Sequence, residues 1–221
     1  MIRRLILAAV MVFLGGIAAL AKADDFKLIN WDDLIPDAPQ IVNPFDALEP
    51  ETQEDLSYVI RTRLDLRMDF IDEDSEEVLK SAEIEAKLTE QGVDVDEFEQ
   101  NLIALEQEII RRGAMVSTEL EGRIVRMPGY ALPLELNEDG VSEFLLVPYV
   151  GACIHVPPPP PNQMVYVTLS EPYQMTSLYD PVWITGPIRA EASSRMLTFV
   201  DGTAPVETGY AIDSLRIEPY E

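Results

Sequence analysis

The chain has 221 residues, 47% of them hydrophobic, and a formal net charge of −24. A surface this acidic repels phosphate backbones, which proteins bind by neutralising them with Lys and Arg. Nucleic acid and anionic lipid are therefore excluded as partners, while cations and basic protein faces remain. The single cysteine, Cys153, excludes an internal disulfide, so packing alone has to hold the fold.

The first residues read as an export signal. Arg3 and Arg4 precede an apolar run over 5–20, and Ala21-Lys22-Ala23 has the small-x-small form of a cleavage site. This predicts a signal peptide over 1–23, a mature start at Asp24 and a periplasmic location. The 16-residue run falls short of the about 20 residues a span needs, so no transmembrane helix is expected in the mature chain. Loss of Arg3, Arg4 and Lys22 leaves 13 basic against 40 acidic residues, a net charge of −27.

Three zones follow. Residues 24–50 are expected to be an extended lead-in, because Pro36, Pro39, Pro44 and Pro50 interrupt regular structure. Trp31 is its apolar anchor and is expected to dock on the main domain. Residues 51–115 read as an acidic helical region. Asp94, with Glu97 three residues on, forms a capping-box-like start. Val95, Phe98, Leu102, Leu105 and Ile109 then step by three and four along one helix face. A weaker stripe through Val78, Leu79, Ile84 and Leu88 precedes Gly92, which predicts an antiparallel helical hairpin turning at Gln91-Gly92-Val93. Asp72-Glu73-Asp74-Ser75-Glu76-Glu77 lacks the glycine and spacing of a calcium loop and reads as a helix start.

From 116 to 221 the pattern changes to short apolar runs split by Gly and Pro. Strands are expected over 122–127, 130–134, 142–147, 164–169, 182–188, 196–200 and 210–217. Short strands at this spacing predict an α+β chain whose last 106 residues form a small antiparallel OB-like barrel.

The rarest side chains cluster in Gly151-Ala152-Cys153-Ile154-His155-Val156, just before Pro157, Pro158, Pro159, Pro160 and Pro161. If the strand over 142–147 continues through Val156, Cys153 and His155 point to the same side and can grip one ion. Thiolate and imidazole are a natural zinc pair, although a closed site takes four ligands. Copper(I) would add Met164 as a soft thioether ligand. Two other readings stand beside the metal: Cys153 as a nucleophile with His155 as its base, and Cys153 as a core residue. The prolines form a stiff extended rod, so Tyr149, Pro157–Pro161, Asn162 and Gln163 read as a preformed binding surface.

These same residues carry a resemblance. Leu120-Glu121-Gly122-Arg123-Ile124-Val125, Pro128-Gly129-Tyr130, the run from Glu143 through the prolines to Asn162-Gln163, and Pro181-Val182-Trp183-Ile184-Thr185-Gly186 are similar to a bacterial exported family known only as a domain of unknown function. Residues 31–36 resemble its opening. The resemblance implies an OB-like barrel and an association with ABC-type transporters and zinc. The expected function is a periplasmic, non-enzymatic binding or accessory protein, with a transporter component or another periplasmic protein as partner. The alternatives are a pure interaction module working through the proline edge, and a Cys-dependent enzyme.

Overall fold

The strands form where apolar residues alternate. In Ile124–Pro133 every second side chain is buried over the first half, and the last three are all buried. The computed structural model describes residues 25–134, 139–153, 158–199 and 202–220. The expected signal peptide over 1–23, together with His155 and Pro157, lies outside them. The described chain is mixed α+β, with three helices and a seven-stranded sheet. It divides into two compact units, Met1–Asp37 with Arg112–Glu221, and Ala38–Arg111.

In the first unit the strands are β1 (Lys27–Leu28), β2 (Ile124–Pro133), β3 (Val141–Val147), β4 (Val165–Tyr173), β5 (Asp180–Phe199), β6 (Gly202–Ser214) and β7 (Arg216–Pro219). β2 pairs antiparallel with both β3 and β5, and β3 pairs antiparallel with β4. β4 runs parallel to β6, which pairs antiparallel with β5. The pairings thus close a ring, β2–β3–β4–β6–β5–β2. β1 adds to β2 in parallel and β7 adds to β5, both outside the ring.

Two apolar clusters lie on opposite faces of the ring. The first gathers Val125, Met127, Ala131, Phe144, Leu146, Val165, Val167, Ile184, Ile188 and Tyr210. The second takes the alternate positions Leu132, Leu145, Val147 and Met164. The lead-in joins the first cluster through Ile29 and Leu34, with Trp31 packed against it. Gly129 makes room for that ring: a Cβ there would lie 2.9 Å from Trp31 and 2.7 Å from Leu146. Tyr210, fully buried, ties two distant segments together. Its hydroxyl donates to the Leu34 carbonyl at 2.6 Å and accepts from the Ser117 amide at 2.5 Å.

The second unit contains α1 (Pro50–Arg67), α2 (Glu76–Glu90) and most of α3 (Val95–Gly113). Ser75 caps α2 through the Val78 amide, and Asp94 accepts from the Glu97 amide at 3.0 Å at the start of α3. The core is small: Leu56, Val59, Leu88 and Val95 are buried, flanked by an edge-to-face pair of Phe45 and Phe98. Ion pairs fix the helix register around it. Lys87 of α2 reaches Glu51 and Asp55 of α1 at 2.7 and 2.8 Å. Arg63 of α1 meets Glu85 of α2 and Asp96 of α3, both at 2.7 Å, and Arg67 reaches Glu99 at 2.6 Å.

Five expectations are corrected. The helical region holds three helices rather than a two-helix hairpin. Pro50 is not a breaker but the first residue of α1, where its missing N–H costs nothing. The lead-in over 24–50 carries a strand and two single-turn helices, Asp32–Leu34 and Pro44–Ala47. Pro128-Gly129 does not split β2, because Pro128 falls between the pairing with β1 at Val125–Arg126 and that with β3 from Tyr130. The runs over 182–188 and 196–200 belong to one strand, β5, with a register shift between Ala190 and Ser193.

We expect Tyr210→Phe to lower stability by about 1–3 kcal/mol, since it leaves the Leu34 carbonyl and Ser117 amide without their buried partner. A lower urea midpoint at unchanged slope would report it.

Candidate functional site

The sequence placed its chemistry between β3 and β4, and the backbone there differs from an extended strand. β3 ends at Val147, and the chain turns at once. Gly151 and Cys153 both adopt positive φ, +87° and +70°. The latter is a conformation few side-chain-bearing residues accept. The expectation that the strand runs on through Val156, with Cys153 and His155 sharing its face, is therefore corrected up to Cys153. His155 lies outside the described residues. Tyr149 and Val150 are exposed on the outside of the turn.

The turn folds Ala152 and Cys153 back onto the ring. Both are buried in the second cluster, beside Leu132, Leu145, Val147, Met164, Tyr179, Leu197 and Val206. Tyr179, also at positive φ, donates its hydroxyl to the Ala152 carbonyl at 2.5 Å and clamps the turn from β5's side. Asp180 holds Tyr179 in place. Its carboxylate accepts from the amides and hydroxyls of Thr176 and Ser177 at 2.6–2.9 Å. Burial raises the Asp180 pKa, but these hydrogen bonds outweigh it and hold the group below its ordinary range. At the rim, the Arg195 guanidinium lies 4.0 Å over the Tyr166 ring, and Glu143 hydrogen-bonds the same phenol.

Burial sets the chemistry of the thiol. It pushes Cys153 from its ordinary 9.0 up to about 11 and Tyr179 from 10.0 up to about 12. A protonated, enclosed thiol is a poor nucleophile, because the thiolate is the reactive form. Of the expected zinc pair only Cys153 lies among the described residues. Among the described residues no three His, Cys, Asp or Glu side chains gather as a metal site, and the surroundings of Cys153 are apolar. Met164 does share the cluster with Cys153, so the two soft sulfur groups are brought together.

Residues 31–219 match the model of a family described as "Protein of unknown function (DUF3299)". This chain belongs to that family. A solved DUF3299 family protein from Pseudomonas aeruginosa PAO1 is 28% identical, covering 89% of this chain and 97% of that one, with a TM-score of 0.47. Comparison with the curated proteins finds no match.

In this DUF3299 chain the proline run acts as a strut. Pro159 is buried, while Pro158 and Pro160 are exposed. A Cβ on Gly113 would lie 2.6 Å from Pro160, and one on Gly209 would lie 2.8 Å from the Pro161 carbonyl. Asn162, buried, donates to the Arg112 carbonyl, and Gln163 donates to the Trp31 carbonyl, both at 2.9 Å. Of the expected binding surface, Pro161, Asn162 and Gln163 are engaged with their own chain, and Tyr149, Pro158 and Pro160 face outward. Sequence reading missed Tyr179 and Asp180. The Thr176-Ser177-x-x-Asp180 pattern was their one signal, an acidic acceptor closing a turn.

Raised folded pKa values stabilise the fold below the unfolded pKa and lose that contribution as pH passes the folded one. Cys153 therefore weakens the fold between about pH 9 and 11, and Tyr179 between about pH 10 and 12. We expect the urea midpoint of the natural chain to fall more steeply over pH 9–11 than that of Cys153→Ala, a difference on the order of 2 kcal/mol. Parallel slopes would exclude a buried neutral thiol.

Proposed function

We propose that this DUF3299 chain is an exported, non-enzymatic binding or accessory protein whose partners are other proteins. Export is supported by the pattern over 1–23. No helix among the described residues is long and apolar enough to cross a membrane. We read the ring as an OB-like barrel. Its order supports this: numbered from β2, the strands close as first, second, third, fifth, fourth, with the third and fifth parallel.

One observation carries the functional reading. OB barrels take oligonucleotides and oligosaccharides on the outer face of their second and third strands, between two loops. Here that face is β3 and β4, and the chain's own turn covers it with Ala152, Cys153 and Tyr179, closed by Leu197 and Val206 of the β5–β6 ribbon. Around Leu145, Val147 and Tyr166 the face is filled with the protein's own apolar side chains and leaves no room for a base or a sugar, while Glu143 and Ser170 at its other end stay exposed. The net charge argues the same way against nucleic acid. The burial of Cys153 also disfavours the enzyme reading, which needs an accessible low-pKa thiol.

Zinc handling beside an ABC-type transporter, which the family resemblance suggested, would need the ion to reach the buried Cys153 and displace its proton. A transporter component as protein partner needs no such step and stays within the proposal.

Native mass spectrometry of the chain from Asp24, with zinc and separately with copper(I), tests the reading. We expect no tight adduct that depends on Cys153 or His155. A one-to-one zinc adduct lost in both Cys153→Ser and His155→Ala, with the fold intact, would replace the proposal with metal handling. A copper(I) adduct lost in Cys153→Ser and Met164→Leu would do the same.

A further inference from the structure

The apolar seam of α3 is longer than the core it serves. Val95 and Phe98 belong to the core of the helical unit, but Leu102, Leu105 and Ile109, which continue the same line, do not. On that line Leu102 and Leu105 are half-buried and Ile109 is 52% exposed, and beside it Ile103 and Ile110 are 50% and 65% exposed. Arg63 and Arg67 of α1 meet α3 at Asp96 and Glu99, near its start. The open part of the seam lies beyond those pairs.

The residues beside the seam say what would cover it. With Val95, Phe98, Leu102, Leu105 and Ile109 as the a and d positions of a heptad, the e positions are Glu99, held by Arg63 and Arg67, and Glu106, and the g positions are Asn101 and Glu108, the last paired with Arg111. These flanks select the partner of a helix pair, since charges there face the neighbouring helix. A second copy of α3 supplies no basic residue at e or g: antiparallel it sets glutamate against glutamate, and parallel it sets Asn101 against Glu106. Ala38–Arg111 as a whole carries 21 acidic and 6 basic residues, a net charge of −15, so an anionic membrane surface is repelled as well. A helix with an apolar stripe flanked by Lys or Arg satisfies both the seam and its rim.

We infer that the open seam of α3, residues 102–110, is a docking surface for a basic amphipathic helix of a partner protein. This rests on the reading that the partners of this chain are proteins, and it names the surface and the chemistry of one of them.

The test uses a labelled, synthetic three-heptad helix with Leu at a and d and Lys at e and g, titrated into the chain from Asp24 and followed by anisotropy. Two companion peptides carry Glu at e and g, or the Lys composition scrambled so that the apolar residues share no face. We expect saturable binding of the Lys helix that weakens as salt rises. The scrambled peptide should bind at least about tenfold more weakly, and the Glu peptide not at all. Ile109→Glu and Glu106→Lys, both on the open side, should each weaken the Lys helix about tenfold while the thermal melt is unchanged.

Equal binding of the scrambled peptide would reduce the effect to net charge and overturn the inference. Binding undiminished by Ile109→Glu, or no saturable binding, would also overturn it. So would sedimentation of the chain as a dimer that Ile109→Glu returns to monomer, which would make a second copy the occupant. These outcomes concern α3 alone, whereas the metal titrations concern Cys153, so either can fail without the other.

Discussion

From Phe144 to Val147 β3 is buried on both faces, and the rest of the strand unit follows from that. Phe144 and Leu146 face one apolar cluster, Leu145 and Val147 the other. Antiparallel sheets commonly leave one face to water and read as alternating sequences. Phe144-Leu145-Leu146-Val147 instead reads as a continuous apolar run, and such a run is stable only if something covers its second face. The cover is the chain's own turn through Ala152 and Cys153, pinned by Tyr179 and closed by the β5–β6 ribbon. The positive φ at Cys153 is the backbone cost of turning sharply enough to lie back on the strand it has just left.

The turn has to be held from its far end as well, and that is where the prolines act. A stiff rod loses little entropy when fixed. Pro160 is extended, the expected rod ends there, and the single turn Pro161–Gln163 carries Asn162 and Gln163 to the Arg112 and Trp31 carbonyls. Gly113 and Gly209 are the small residues that let it pass closely. Cys153 and the stiff backbone thus sit together because one packs a second core and the other braces it. The proposed recognition therefore uses surfaces the chain leaves open.

Much of this was legible in the sequence. The seam of α3, its Asp94 start, the Gly92 turn, the docking of Trp31 and most strand segments follow from periodicity and turn residues. What misled were prolines read by their general rule. Pro50 opens a helix and Pro128 sits in a gap between two pairings, and neither context is visible without neighbours. The five-strand closure depends on which strands pair across long separations, which local patterns do not encode. The turn at Gly151–Cys153 was hidden by apolar residues that continue the strand's composition. Their burial comes from folding back rather than from running on. Tyr179 and Asp180 left only a short Thr-Ser-x-x-Asp trace, because their role is set by a contact 27 residues away in the chain.

The central claim is that the face over β3 and β4 is closed by this turn. The reaction of Cys153 with a thiol reagent across a series of urea concentrations tests it most directly. The account predicts negligible labelling in the absence of urea, with a rate that rises with the same denaturant dependence as global unfolding. Fast labelling without urea, at a rate insensitive to it, would mean that the turn opens on its own and that the face is available to a ligand.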